Sequence, residues 1–163
     1  MTTATSQQQV VTFRVGDEHF AADILTVERV LRHVTPMPVP NLPAWMEGVL
    51  EYESHVVPVI DLRRRFGLGD AGRPETGVRI IVFRAGEEWL GAMVDAVLEV
   101  VNIDGAQLSA PPPLFRGLKA EYVRGLVHRE GRMIILLEMT RLLTATEHVE
   151  LHRASQGGAS SDG

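Results

Sequence analysis

A few groups of residues in this 163-residue chain have the types, and some of the spacing, that chemistry requires. Gly67, Gly69 and Gly72 spell G-x-G-x-x-G, which brings a pyrophosphate to a helix N-terminus when it follows a strand and opens a helix. Here it follows an expected helix and runs into Arg73-Pro74, so the linker reading is the better one. His148 and His152 stand four apart on an expected C-terminal helix and could grip a metal from one face, but no third ligand has an evident place beside them. Asp61 and Glu138 occupy matching places where two helices should begin, and capping with dipole stabilisation accounts for both carboxylates. Arg63, Arg64 and Arg65 could clasp an anion, yet three arginines in one short helix read more simply as its wet face. The six serines lie at the chain ends, in a turn (Ser54) and before a proline loop (Ser109), and none sits in a G-x-S-x-G elbow. No nucleophile is paired with a base. The expectation is no catalytic residue, no metal, no cofactor, and no enzyme.

The elements that would position these residues are organised around Gly48–Phe66. An apolar strand (Gly48 to Leu50) leads into a polar turn (Glu51 to His55), and a second strand follows over Val56–Ile60. Pro58 lacks an amide hydrogen, which places it at an edge or bulge on its side of the strand. Asp61 caps a short basic helix. A near copy, Gly125–Leu143, lies 77 residues further on. Phe13, Arg14, Gly16, Glu18, Ala22, Val27 and Val30 likewise match Phe83, Arg84, Gly86, Glu88, Ala92, Val97 and Val100 at an offset of 70. The second unit therefore carries a seven-residue insertion, in the proline loop around 102–124. Each unit reads strand, hairpin, strand, long loop, hairpin, short helix. Two small antiparallel barrels with a shared interior follow, because neither half would bury much surface alone and closure removes exposed strand edges.

In order, residues 1–9 are polar and expected to be disordered; barrel one spans about 10–66, a linker 67–78, barrel two about 79–137, an amphipathic helix 138–151, and a disordered tail 152–163. Val10–Val15 and His19–Ile24 form a hairpin around Gly16-Asp17. Thr26–His33 fits a bulged strand better than a helical turn, and a turn of helix over Ala44–Glu47 would carry Trp45. Composition is that of a globular protein, with 45% hydrophobic and 23% charged residues. A formal net charge of −5 argues against nucleic-acid binding, and the absence of cysteine excludes thiolate chemistry. No apolar run reaches membrane-spanning length, and the first residues lack a secretory pattern, so a cytoplasmic protein is expected. Apolar residues in loops (Met37, Trp45, Leu114 and Phe115) point towards binding partners.

Four stretches carry a family resemblance: FRVGDEHFAADILTVERVL, PNLPAWMEGVLEYESHVVPVIDLRRRFGL, IIVFRAGEEWLGAMVDAVLEVV and YVRGLVHREGRMIILLEMTRLL. Over about residues 10–145 the chain resembles the CheW domain family. The resemblance implies a mainly β fold of two five-stranded SH3-like barrels sharing a hydrophobic core, with short helices. It also implies a non-enzymatic adaptor that couples chemoreceptor tips to the regulatory domain of a CheA-type histidine kinase, working in the cytoplasm at membrane-associated arrays alongside other CheW-like proteins. Receptor contacts would fall on Val27, Glu28, Val30, Met37, Gly48 and the turn position Glu53; kinase and ring contacts would fall on Pro113, Leu114 and Phe115. In that turn the family commonly has N-L-R-G, whereas this chain has Glu51-Tyr52-Glu53-Ser54, a charge reversal at the arginine position. A divergent or accessory chemosensory pathway, or an adaptor that binds kinase but not receptors, would follow from that reversal. The alternative is a small-ligand binder using the groove between the barrels.

Overall fold

A computed structural model describes residues 7–32, 34–67, 77–110 and 122–144. Residues 1–6, the expected disordered tail, most of the linker, the middle of the proline loop and the far part of the last helix lie outside them. Ten strands dominate: β1 Gln7–Val15, β2 Glu18–Asp23, β3 Val27–Arg32, β4 Met46–Tyr52, β5 His55–Asp61, β6 Arg79–Ala85, β7 Glu88–Val94, β8 Ala96–Asp104, β9 Val123–Arg129 and β10 Arg132–Leu137. Two short helices, α1 Leu62–Arg65 and α2 Met139–Thr144, follow β5 and β10. β1 starts at Gln7, three residues earlier than expected, because its polar first residues still pair with β8 as far as Asp104.

The strands form two five-stranded sheets. Barrel I has the order β8-β1-β2-β10-β9 and barrel II the order β3-β6-β7-β5-β4. Exchanging each strand for its repeat partner, five places along the chain, converts one order into the other. The expected division into barrels of 10–66 and 79–137 is thereby corrected. Each barrel takes its first hairpin from one unit and its remaining three strands from the other. The crossing occurs after β2, where Asp23 caps a 3-10 turn over Ile24–Thr26 and β3 leaves to pair with β6 instead of β1. β8 returns the exchange by pairing with β1. Both crossing strands carry a bulge, which was expected only in the first: Glu28 lies between the pairs Val27↔Phe83 and Arg29↔Val82, and Leu98 lies between Val97↔Phe13 and Glu99↔Thr12.

Closure uses the same device twice. The chain leaving β3 bridges to β4 at Met37↔Val49, and the chain leaving β8 bridges to β9 at Ser109↔Leu126. Three apolar clusters result. Val10, Ala21, Val101, Ile103, Val127, Ile134 and Leu136 fill barrel I, while Leu50, Val57, Val59, Ile80 and Val82 fill barrel II. The largest cluster lies between the barrels and draws Val11, Phe13 and Phe20 from one and Ile60, Ile81, Phe83 and Leu90 from the other. β1 and β6 are thus buried on both faces, which explains their nearly unbroken apolar sequence.

Smaller corrections have local causes. Pro58 sits inside the sheet order, not at its edge, but the parallel ladder to β7 begins only at Val59, so its missing amide costs no ladder bond there. The turn of helix expected at Ala44–Glu47 is absent: Trp45 lies in a turn, half-buried against the shared core, and β4 begins at Met46. Asp61 does cap α1, its carboxylate accepting from the Arg63 amide at 3.0 Å.

The β4–β5 turn is tighter than the expected Glu51–His55. Tyr52 pairs with His55, leaving only Glu53 (φ 46°) and Ser54 (φ 67°) in the loop. Two residues at positive φ match a type I′ turn, which favours glycine at the second place. The β9–β10 turn is the internal comparison, with Glu130 at φ 53° and Gly131 at φ 74°. Ser54→Gly is expected to stabilise the fold by roughly 0.5–1 kcal/mol, because the left-handed penalty exceeds the added chain entropy. Calorimetry should then show a midpoint raised by about 2 °C; an unchanged or lower midpoint would argue against strain in this turn.

Candidate functional site

The residues expected on the receptor face all belong to barrel II or its closing segment. Val27 is half-buried, pairs with Phe83 and packs on the shared core. Val30 lies on the same face as Ile81 and is 39% exposed, so it forms a lip of the seam between the barrels. Glu28, in the bulge, approaches Arg84 at 3.9 Å. Met37 and Gly48 are brought together by the closing bridge: the Met37 amide donates to the Val49 carbonyl at 2.7 Å, and the Val49 amide donates back at 2.9 Å. Gly48 has φ 143°, and a Cβ there would lie 2.2 Å from the Met37 carbonyl oxygen. Glu53 stands at the tip of the hairpin, exposed, its carbonyl accepting from His55 Nδ1 at 3.1 Å. Pro113, Leu114 and Phe115 lie outside the described residues.

Sequence reasoning missed two members of this surface. Val34, between β3 and Met37, and Val56, at the start of β5, are 51% and 62% exposed, and Met37 is 67% exposed. Val56 pairs with Glu51, opposite in facing to the buried Leu50–Val57 pair. Its signal was the run Val56-Val57, in which an alternating strand must turn one valine outward.

Behind this face is a buried ionic joint that reading α1 as a wet surface overlooked. Arg63 and Asp95 have side chains only 3% and 5% exposed, with Arg63 Nη2 2.8 Å from Asp95 Oδ2. The same Oδ2 accepts from the Gly16 amide at 2.7 Å, and the Asp95 amide donates to the Arg14 carbonyl. Asp95, between β7 and β8, therefore ties α1 to the β1–β2 turn of barrel I. Arg65 is also inward, its guanidinium 5.7 Å from the Trp45 ring centroid and 6.0 Å from that of Tyr122. Only Arg64 keeps the expected exposure.

Among the described residues no catalytic constellation assembles beside this face. Glu138 accepts from the Thr140 side-chain hydroxyl at 2.8 Å at the start of α2. Among the described residues no cluster of three or more histidine, aspartate or glutamate side chains could hold a metal ion. His148 and His152 lie outside them, as do Gly69 and Gly72. No helix of the described residues is long and apolar enough to cross a membrane.

A family model for the CheW-like domain matches residues 9–147. The chain belongs to the CheW-like domain family. Similar proteins include the chemotaxis protein CheW of Treponema pallidum, 29% identical over 145 residues and covering 86% of this chain and 85% of that one. The CheW of Klebsiella aerogenes is 31% identical over 143 residues, covering 88% and 86%. The protein FrzA of Myxococcus xanthus is 34% identical over 142 residues, covering 86% and 88%. Among solved structures, the scaffolding protein TtCheW from Thermoanaerobacter tengcongensis superposes with a TM-score of 0.78 at 29% identity, covering 90% of this chain and 94% of that one. The two five-stranded barrels of this CheW-family chain are accordingly SH3-like, and the protein is a non-enzymatic member of a chemotaxis family.

Proposed function

We propose that this CheW-family protein is a cytoplasmic adaptor that joins chemoreceptor tips to the regulatory domain of a CheA-type kinase, with receptor recognition altered at Glu53. The observation that carries the reading is the exposed apolar strip of Val30, Val34, Met37 and Val56 on barrel II. Large apolar side chains gathered on one barrel and left exposed mark a surface that a partner can cover. The strip includes the expected positions Val30 and Met37 and adjoins the hairpin that ends in Glu53. Val27, Glu28 and Gly48 set its backbone, and the segment Pro113–Phe115 supplies the expected kinase and ring contact. The reversed charge at Glu53 supports a divergent or accessory pathway, because a like-charge meeting at an interface costs up to several kcal/mol.

Titration calorimetry with a CheA regulatory domain encoded nearby should give saturable one-to-one binding, and absence of heat with no competition would count against the adaptor role. Glu53→Arg should tighten capture of receptor tips that face arginine-bearing adaptors by about tenfold, or roughly 1.4 kcal/mol. Equal capture by both forms would show that this charge does not choose the receptor.

A further inference from the structure

The duplicated fold supplies its own control, because each position in the mouth of one barrel has a counterpart in the other. In barrel II the mouth is filled. Trp89 stacks on His55 with ring centroids 4.4 Å apart, meets Tyr52 at 5.9 Å, and lies under the Arg84 guanidinium at 5.0 Å. At the offsets of 70 and 77 the same places in barrel I hold His19 for Trp89, Arg129 for Tyr52, Arg132 for His55 and Arg14 for Arg84. The pairings agree: Arg14 faces His19 as Arg84 faces Trp89, and Arg132 faces Arg129 as His55 faces Tyr52. Where barrel II has an aromatic plug, barrel I has a cleft of about 540 Å³, walled by Val97, Leu98 and Ile134 and lined by these four side chains.

We propose that the mouth of barrel I is a binding site for a small planar aromatic anion, which takes the place that Trp89 occupies in barrel II. The volume suits a small molecule, since such sites run from roughly 300 to 1,000 Å³. Guanidinium groups recognise this chemistry in two ways, stacking on a flat ring and forking onto a carboxylate or phosphate. No carboxylate is ion-paired with Arg14, Arg129 or Arg132 among the described residues, although Glu99 and Glu130 also line the cleft and restrict the site to modestly charged ligands. His19 is 7% exposed, and its Nε2 accepts from Arg132 Nη1 at 2.6 Å. The ring therefore carries its proton on Nδ1, a donor with no partner, and Arg129 Nε is buried in the same condition. Burial first, then the charges of Arg132 and Arg14, hold the imidazole pKa below its usual 6.5, so the ring stays neutral and keeps this arrangement near neutral pH.

The test is calorimetry on the full chain with adenosine monophosphate and with indole-3-carboxylate, which separate a phosphate from a carboxylate source. At least one should bind one-to-one with a Kd below about 1 mM. Adenosine or inorganic phosphate alone should bind about tenfold more weakly, because each has half of the recognised chemistry. Arg132→Gln, at an exposed position, should weaken binding by about tenfold or more. Transplanting the plug with His19→Trp, Arg129→Tyr and Arg132→His should abolish it. Failure of both anions to saturate overturns the proposal, as does binding unchanged by Arg132→Gln. Should the triple variant fail to unfold cooperatively, the single variant decides alone.

Discussion

Arg63→Ala will cost this fold about 3–5 kcal/mol, the range for breaking a buried ion pair by removing one partner. The guanidinium is 2.8 Å from Asp95 Oδ2, and both side chains are almost wholly buried. Without Arg63 the carboxylate keeps the Gly16 amide as a donor but must hold its charge away from water with no counterion beside it. A domain of this size has roughly 5–15 kcal/mol of net stability, so about a fifth or more of it would go. Urea denaturation should show a lower midpoint at unchanged slope. Asp95→Ala should also destabilise the fold, since it removes the carboxylate that the Arg63 guanidinium and the Gly16 amide share. Arg63→Met with Asp95→Leu should cost clearly less than the two single changes together, because both buried charges then disappear. Single variants losing under about 1 kcal/mol would place the pair with exposed salt bridges and refute this account.

That joint also marks where the sequence stopped being informative. Alternation of apolar and polar residues reports which face of a strand is buried, and it located the hairpins, a bulged strand within Thr26–His33 and the duplication itself. It does not report which strand pairs with which. An exchanged pair of barrels and two separate ones have the same local pattern, because β3 buries Leu31 inward whether its neighbour is β1 or β6. Arg63 was unreadable for the same reason: its partner is 32 residues away and reached only through the assembled fold. The one local hint was Asp95, an acid between two apolar strands with no turn sequence around it. Trp45 misled because four residues after a proline fit a helical turn as well as the entry into a bulged strand.

The surface was more legible than the joint. Val30 and Met37 are apolar at places where a strand edge and a loop should be polar, and both are exposed. Val34 and Val56 extend that face and needed coordinates, since a lone outward valine on a strand is ordinary. The cleft of barrel I was hidden more deeply. Its arginines read singly as solvated, and only the repeat offsets set them against the aromatic residues of barrel II.

Gly48→Ala is expected to damage barrel II by about 3 kcal/mol or more, and the repeat again provides the comparison. A Cβ at Gly48 would lie 2.2 Å from the Met37 carbonyl oxygen, 2.9 Å from its carbon and 3.3 Å from Pro38 Cα, and all three atoms are backbone. They cannot turn aside as a side chain would, and φ 143° is unfavourable for any residue with a Cβ. Relief requires Met37 to leave β4, which breaks both hydrogen bonds of the closing bridge. At the matching Gly125 the nearest atom is Leu108 Cδ2 at 3.1 Å, with the Ser109 oxygen at 3.2 Å. A leucine methyl can move a few tenths of an ångström, so Gly125→Ala should cost only about 1 kcal/mol. Hydrogen exchange would locate the difference: in Gly48→Ala the Met37 and Val49 amides should lose protection while barrel I amides such as Leu126 keep theirs. Equal costs for the two alanines would mean that closure at Met37 is not what holds barrel II. Because Met37 also sits in the exposed apolar strip, opening that bridge should weaken partner binding at barrel II before the shared core unfolds.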